Sequence, residues 1–358
     1  MADLHQMIRV IFVFVVFSAS INNLHAQSDT DEIAKAKKDA SSDSFFADTS
    51  LLTLNLVLNF KALSKDMGEE NPKLHLARLT YEDGNIKKSF YVQIKPRGKY
   101  RQDPKNCAFP NLQIFFPKDE CKKTIFENHR KLKIVNHCQI TNPDYNDYVI
   151  AEYLAYKIYN HLSKASYRVR LARVTYTDVE GEIKTHTRYA FFIERSKWMA
   201  ARNNSSTLKV KNITANRTGR YANDVMSVFQ YMLGNTDWSV PGLHNVKIIS
   251  KGSLFPPEPV PYDFDWSGFV YTSYARPNPK LPITTVKNRL YRGPCRTAEE
   301  YNIILEYMLN HQDEIIRTVS DCNYLSASKR IEILNYLEEF FVQAKKGELA
   351  KIFVKECR

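Results

Sequence analysis

Two hydrophobic periods divide the chain. From Leu51 to about Glu194, apolar and polar residues alternate with a period of two, the pattern of strands that bury one face. In KLKIV, Leu132 and Ile134 share one strand face while Lys131, Lys133 and Val135 share the other. YRVRLARVTYTD and RYAFFIERSKW add β-branched and aromatic content and predict two more strands, the second ending at Glu194. One segment in this half, YNDYVIAEYLAYKIYNHL, has helical spacing instead. Beyond Arg195 the three-to-four spacing of amphipathic helices prevails, in TAEEYNIILEYMLNHQDEIIRTV and SASKRIEILNYLEEFFVQAKKGELAKIF, with Ser326 or Ser328 as a cap. The exception is VKIIS, which alternates and is followed by a Pro-rich turn and PVPYDFD. A hairpin there brings Asn245 and Asp263 to the same end. The expected fold is α+β: a strand-rich half over 51–195 with one long helix, then a mainly helical half over 196–358.

The chain start changes the compartment. Arg9, the apolar run VIFVFVVFSA and Leu24-His25-Ala26 have the layout of a cleavable secretory signal over 1–26, with cleavage after Ala26. That run is shorter than the roughly 20 residues a membrane span needs, and no later segment is continuously apolar enough. Export to the periplasm, cell envelope or extracellular space is expected, with no transmembrane span after signal removal. Residues 27–50 are polar and read as a linker or a short amphipathic helix. In an oxidising compartment the 6 cysteines read as disulfide formers. They contain no C-x-x-C pair, and their wide spacing speaks against a zinc site. If pairing follows the two halves, two of Cys107, Cys121 and Cys138 join, as do two of Cys295, Cys322 and Cys357. The net charge of +12 favours anionic partners, an acidic acceptor or an anionic envelope lipid or polysaccharide. Nucleic acid is not expected, because aromatic-basic recognition motifs are lacking.

The chemistry concentrates between Gly234 and Gly268. Phosphoryl transfer requires an acidic group near the acceptor hydroxyl and oxygen ligands that fix a divalent ion against the phosphates. Asp237 suits the first role; Asn245 and Asp263 suit the second, with Asp265 as a reserve ligand if that stretch is extended. Magnesium takes one or two carboxylates and completes its shell with phosphates and water, so a sparse set suffices. A phosphate clamp is available in KPRGKYR, where Gly98 permits a tight turn and Arg97, Lys99 and Arg101 present charge. Lys133 and Glu152 are expected to pair, since Glu152 sits on an aromatic helix face and burying it alone would cost several kcal/mol. Neither a G-x-G-x-x-G loop, a P-loop nor an H-E-x-x-H motif occurs.

GNTDWSVPGLHN resembles the HipA-like and phosphatidylinositol-kinase-like catalytic loop GNxDxxxxN, and with VPYDFDWSG downstream the chain looks closer to the spore-coat CotH-like kinases. The sharp motif spans residues 234–268, with a looser similarity of layout across most of the chain. The resemblance implies a two-lobed atypical protein-kinase-like fold using ATP and Mg²⁺ or Mn²⁺. It implies Asp237 as the catalytic residue, Asn245, Asp263 and Asp265 at the metal, and Lys133, Glu152, Arg97 and Glu194 around the nucleotide, with Phe191 to Glu194 as a hinge. The expected function is an exported kinase that phosphorylates a protein or other envelope hydroxyl. One departure matters: Asp237 and Asn245 lie eight positions apart, about three more than in the family loop. Unless a local bulge absorbs the excess, the same fold implies a catalytically silent pseudokinase or an envelope binding or adhesion protein.

Overall fold

The computed structural model describes residues 31 and 33–357, so the expected signal over 1–26 lies outside the described residues. Seven strands form a closed barrel: β1 (Leu52–Leu58), β2 (His75–Asp83), β3 (Ile86–Arg97), β4 (Asn111–Phe115), β5 (Lys131–Val135), β6 (Val169–Asp178) and β7 (His186–Ile193). Neighbours pair antiparallel in the order β1-β2-β3-β4-β5-β7-β6, except that β6 closes the ring against β1 in parallel, from Leu52 opposite Ala172 to Leu58 opposite Asp178. Inward positions alternate as the pleat requires. Leu54, Leu56, Leu79, Val92, Ile94, Leu132, Ile134, Val174 and Phe192 fill the barrel interior.

Residues 33–41 form helix α1, and α2 (Ser44–Ala47) follows it. Phe45 and Phe46 are buried with the barrel core and Ala36 and Ala40 pack against Trp198, so of the two readings of this stretch, linker or short amphipathic helix, the helix holds over 33–41. Two adjacent phenylalanines carry enough apolar area to order a short segment that is otherwise polar.

The short helix α3 (Phe60–Lys65) follows β1, and the long helix α4 (Asp144–Leu162) is buried nearly all round. It shares one core with the outer faces of β6 and β7 and with the C-terminal helices α7 (Ala298–Asn310), α8 (Gln312–Ser320), α9 (Ala327–Lys345) and α10 (Glu348–Glu356). It therefore sits between the halves, as an apolar all-round helix must. Ser326 caps α9, its side chain accepting from the Lys329 N–H. Between them lie α5 (Ser196–Arg202), α6 (Arg220–Met232) and a small sheet of β8 (Ser206–Leu208), β9 (Val246–Ser250) and β10 (Glu258–Pro261). The α+β class and the β9–β10 hairpin match the sequence expectation; closure into a barrel was not expected.

Two disulfides, Cys107–Cys138 and Cys295–Cys357, follow the half-by-half pairing, while Cys121 and Cys322 are free and buried. Among the described residues no helix is long and apolar enough to cross a membrane.

Candidate functional site

The Asp237 loop begins where α6 ends. Gly234 takes φ +61°, and a Cβ there would come within 2.1 Å of the Tyr336 hydroxyl, so both backbone handedness and space demand glycine. Asn235 then braces the turn. Its side-chain N–H donates to Gln230 Oε1 at 2.9 Å, its Oδ1 accepts from the Asp237 N–H at 3.0 Å, and its backbone oxygen accepts from Trp238 Nε1 at 3.2 Å. From outside the loop, Arg292 donates to the carbonyls of Thr236 and Trp238.

The long interval between Asp237 and Asn245 is taken up by a tight hairpin. Ser239 and His244 exchange backbone hydrogen bonds at 2.9 and 3.0 Å, and the Gly242 N–H donates to Ser239 Oγ at 3.1 Å. The chain thereby returns to its start. Asn245 Nδ2 donates to the Asp237 backbone oxygen at 2.8 Å and to Asp237 Oδ2 at 2.9 Å. With its nitrogen spent there, the Asn245 amide turns its oxygen away from Asp237, as the fork of an amide requires.

β9 and β10 then carry the acidic segment back. The Tyr262 N–H donates to the Asn245 carbonyl at 3.0 Å, which sets Asp263 beside Asn245. Both take left-handed backbone conformations, φ +51° for Asn245 and +66° for Asp263, of the kind that clusters at functional sites. Asp263 is thus not extended, so Asp263 and Asp265 are not alternate residues of one strand face; both nevertheless line one cleft. That cleft, of about 560 Å³, is walled on one side by Asp237, Asn245, Asp263 and Asp265 and on the other by Arg97, Gly98, Lys99 and Arg101. The KPRGKYR turn, with Gly98 at φ +92°, delivers its cations opposite the acids.

Beneath the cleft the electrostatics are crowded. Glu152 is 2 % exposed, and its Oε1 has no hydrogen-bond partner. Burial, then the Asp265 and Asp263 charges, holds its carboxyl well above the ordinary glutamate range, against Arg101 and Arg97. Asp265 is also buried, accepts from the Tyr274 hydroxyl at 2.7 Å, and is pushed up to about 7 by burial and Asp263. Asp263 itself is exposed to the cleft, so the enclosure that raises its carboxyl is that of the cleft walls; Arg97 and Arg101 oppose the rise. Its backbone N–H donates to the Tyr156 hydroxyl at 2.8 Å.

Two expected partnerships are absent. Lys133 and Glu152 form no ion pair among the described residues. Glu152 faces Arg97 and Arg101 instead, because the basic turn reaches over the helix that carries it. Lys133 lies on the outer face of β5 and is exposed as a residue; partial burial of its ammonium, then the nearby Arg97 and Lys247, pull it down to about 8, while Asp263 favours the charge. Glu194 does not line the cleft. Its carboxylate is fully buried and taken by Arg168 at 2.9 Å and Arg202 at 2.8 Å, a packed ion cluster where β7 meets α5. Phe191 and Phe192 are core residues on opposite faces of β7.

Four residues escaped the sequence argument. His244 Nε2 lies 2.8 Å from Asp237 Oδ1. Trp266 lines the cleft with Tyr100 edge-on to its ring at a centroid distance of 5.1 Å, and Tyr274 holds Asp265. His244 adjoins Asn245 in sequence, and that adjacency was the available signal; the tyrosines have none.

Among the described residues no group of three or more His, Cys, Asp or Glu side chains is placed to hold a metal ion. The side chains of Asp237, Asn245, Asp263 and Asp265 that line the cleft offer oxygen acceptors of the kind a hard cation takes when water or phosphate completes its shell. Neither the known family models nor the curated proteins include a match to this chain.

Proposed function

We propose that the chain is an exported CotH-like atypical kinase, transferring the γ-phosphate of ATP to a hydroxyl of a protein or other envelope acceptor with Mg²⁺ or Mn²⁺. The observation that carries the proposal is the meeting of Asp237, Asn245, Asp263 and Asp265 on one cleft wall, with Arg97, Lys99 and Arg101 facing them. The eight-residue interval, the main departure from the family loop, is compatible with it because the 239–244 hairpin returns Asn245 to Asp237.

In this reading the barrel and the helical half are the two lobes, with the cleft between them. Asp237, partly exposed and oriented by Asn245 and His244, accepts the acceptor's hydroxyl proton. Arg97, Arg101 and Lys133 hold the triphosphate, and Glu152 steadies the two arginines rather than the lysine. Asn245, Asp263 and Asp265 would hold the divalent ion, which when bound neutralises charge on the phosphates. The carboxyls of Glu152 and Asp265, raised by burial first and by the neighbouring acids second, accord with a site whose charge a bound cation would offset. The Glu194 side chain has no part in it. Two disulfides and the lack of a membrane-spanning helix among the described residues accord with export.

The test is phosphate transfer from γ-labelled ATP by the disulfide-formed protein with Mg²⁺ or Mn²⁺, beside Asp237→Ala and Asp263→Ala. Labelling that requires the metal and is lost in both variants by about 10²-fold or more is expected. A nucleotide-induced stability shift without labelling would make the protein a pseudokinase. Absence of both would return it to the envelope binding class.

A further inference from the structure

A second cavity, of about 680 Å³, opens beside the first and shares Asp237, His244 and Trp266 with it. The two differ in charge. Apart from Asp237, the second contains no carboxylate, and its lining carries Arg276, Lys280 and Arg292. Arg276 and Lys280 are exposed, and neither is in an ion pair with a described acidic residue. The Arg276 guanidinium donates only to carbonyls of its own turn, Ser273 at 3.1 Å and Ala275 at 2.8 Å. Arg292 has a bracing role, holding the Thr236 and Trp238 carbonyls, and adds a fixed positive charge.

Between Arg276 and Lys280 the wall is rigid and asymmetric. Pro277 and Pro279 lack N–H groups, and the Asn278 turn closes with the Leu281 N–H donating to the Asn278 carbonyl at 2.9 Å. Such a wall offers carbonyl acceptors and asks the ligand for donors, which a peptide backbone supplies. Aromatic surface for stacking sugar rings is scarce: Trp238 is 5 % exposed with the Arg292 guanidinium 6.0 Å above its ring, leaving Trp266 alone.

We propose that this second cavity is the acceptor site and takes an extended peptide whose hydroxyl residue is flanked by Asp or Glu; the word acceptor rests on the phosphotransfer reading, the peptide chemistry does not. The hydroxyl enters at the shared edge, beside Asp237 and His244. Flanking carboxylates sit against Arg276 and Lys280, which have no acid of their own to satisfy. On transfer the hydroxyl oxygen bonds to the γ-phosphorus as the bond to the β-phosphate bridging oxygen breaks; the hydroxyl proton passes to Asp237, and ADP leaves with the bond's electron pair.

The experiment is fluorescence anisotropy on the disulfide-formed protein without nucleotide. The probes are a labelled peptide with serine between paired glutamates, its lysine counterpart, and an oligomer of galacturonic acid. The acidic peptide is expected to bind best, to weaken with added salt, and to bind at least tenfold more weakly to Arg276→Glu/Lys280→Glu, which gains the lysine peptide. Lys280→Glu alone changes only an exposed side chain and is expected to show part of the loss with an unchanged melting temperature. Equal binding of the acidic peptide to wild type and both variants, or preference of wild type for the lysine peptide or the uronate, overturns the proposal. Because nucleotide is absent, charge-reversible binding without any phosphate transfer overturns the kinase reading alone. Labelling of acceptors that ignores Arg276 and Lys280 overturns this one alone.

Discussion

Asn245 carries two burdens, a left-handed backbone and the amide that ties the hairpin's end to Asp237. The two are separable. Asn245→Ala loses the tie and is expected to cost about 1–2 kcal/mol, since a buried hydrogen bond contributes about 1 kcal/mol and alanine tolerates the left-handed backbone less well than asparagine does. Asn245→Gly relieves the strain and should cost visibly less in urea denaturation while impairing phosphate transfer equally; equal stabilities would show that the backbone is unstrained. Glu152 poses the opposite question, a carboxyl raised in the folded state among Asp263, Asp265, Arg97 and Arg101. Its folded value lies above the 4.5 of a free glutamate, so the folded state binds more protons than the unfolded state as pH rises from there. Stability contributed by the protonated carboxyl is therefore lost as pH climbs toward the folded value. Glu152→Gln, permanently neutral, is expected to melt higher than wild type at pH 8 in cation-free buffer, with the difference shrinking toward pH 4. A constant difference would show that Glu152 is already ionised.

At the scale of elements, the clamp turn depends on its disulfide. The turn from Gly98 to Cys107 is tied to the end of β5: Arg101 donates to the Asn136 carbonyl, the Phe109 N–H to the Cys138 carbonyl at 3.0 Å, and Cys107 bonds Cys138 across 31 residues. Cys107→Ser/Cys138→Ser is expected to lose about 2–4 kcal/mol in urea denaturation. Stabilisation by ATP should fall with it, because Arg97 and Arg101 lose their anchor; a variant that is weakened but keeps full nucleotide stabilisation would separate the clamp from the bridge. The β9–β10 hairpin and the clamp turn were legible because each is local: VKIIS, a Pro-rich turn and PVPYDFD fix a hairpin within twenty residues, and Gly98 marks its own turn. The barrel was not, since its closure pairs Leu54 with Val174, and no local period encodes a parallel partner that distant. The Lys133–Glu152 pairing failed for the same reason, as a competing guanidinium from another turn is invisible to strand alternation. Phe45 and Phe46 were lost in a stretch whose mean polarity outweighed them.

Across the whole molecule, the C-terminal helix reaches the Asp237 loop through a continuous set of contacts. Cys357 bonds Cys295, the Tyr291 N–H donates to Glu356 Oε2 at 2.7 Å, and Phe353 stacks on Tyr291 at a centroid distance of 4.2 Å. Arg292, the next residue, grips the carbonyls of Thr236 and Trp238 on either side of Asp237. The helical half thus sets the position of Asp237 from behind, through backbone groups that no side-chain motif records. Removing residues 348–358 is expected to do more than lower stability: amide exchange in 235–245 should quicken relative to the barrel strands, and phosphate transfer should drop more than tenfold even where the protein remains folded. Cys121→Ser, a change buried in the barrel half with no route to the loop, serves as the comparison, expected to lose stability while leaving the relative exchange of 235–245 unchanged. If the truncated protein protects that loop as well as wild type does, Arg292 holds it unaided and the C-terminal helix contributes packing alone.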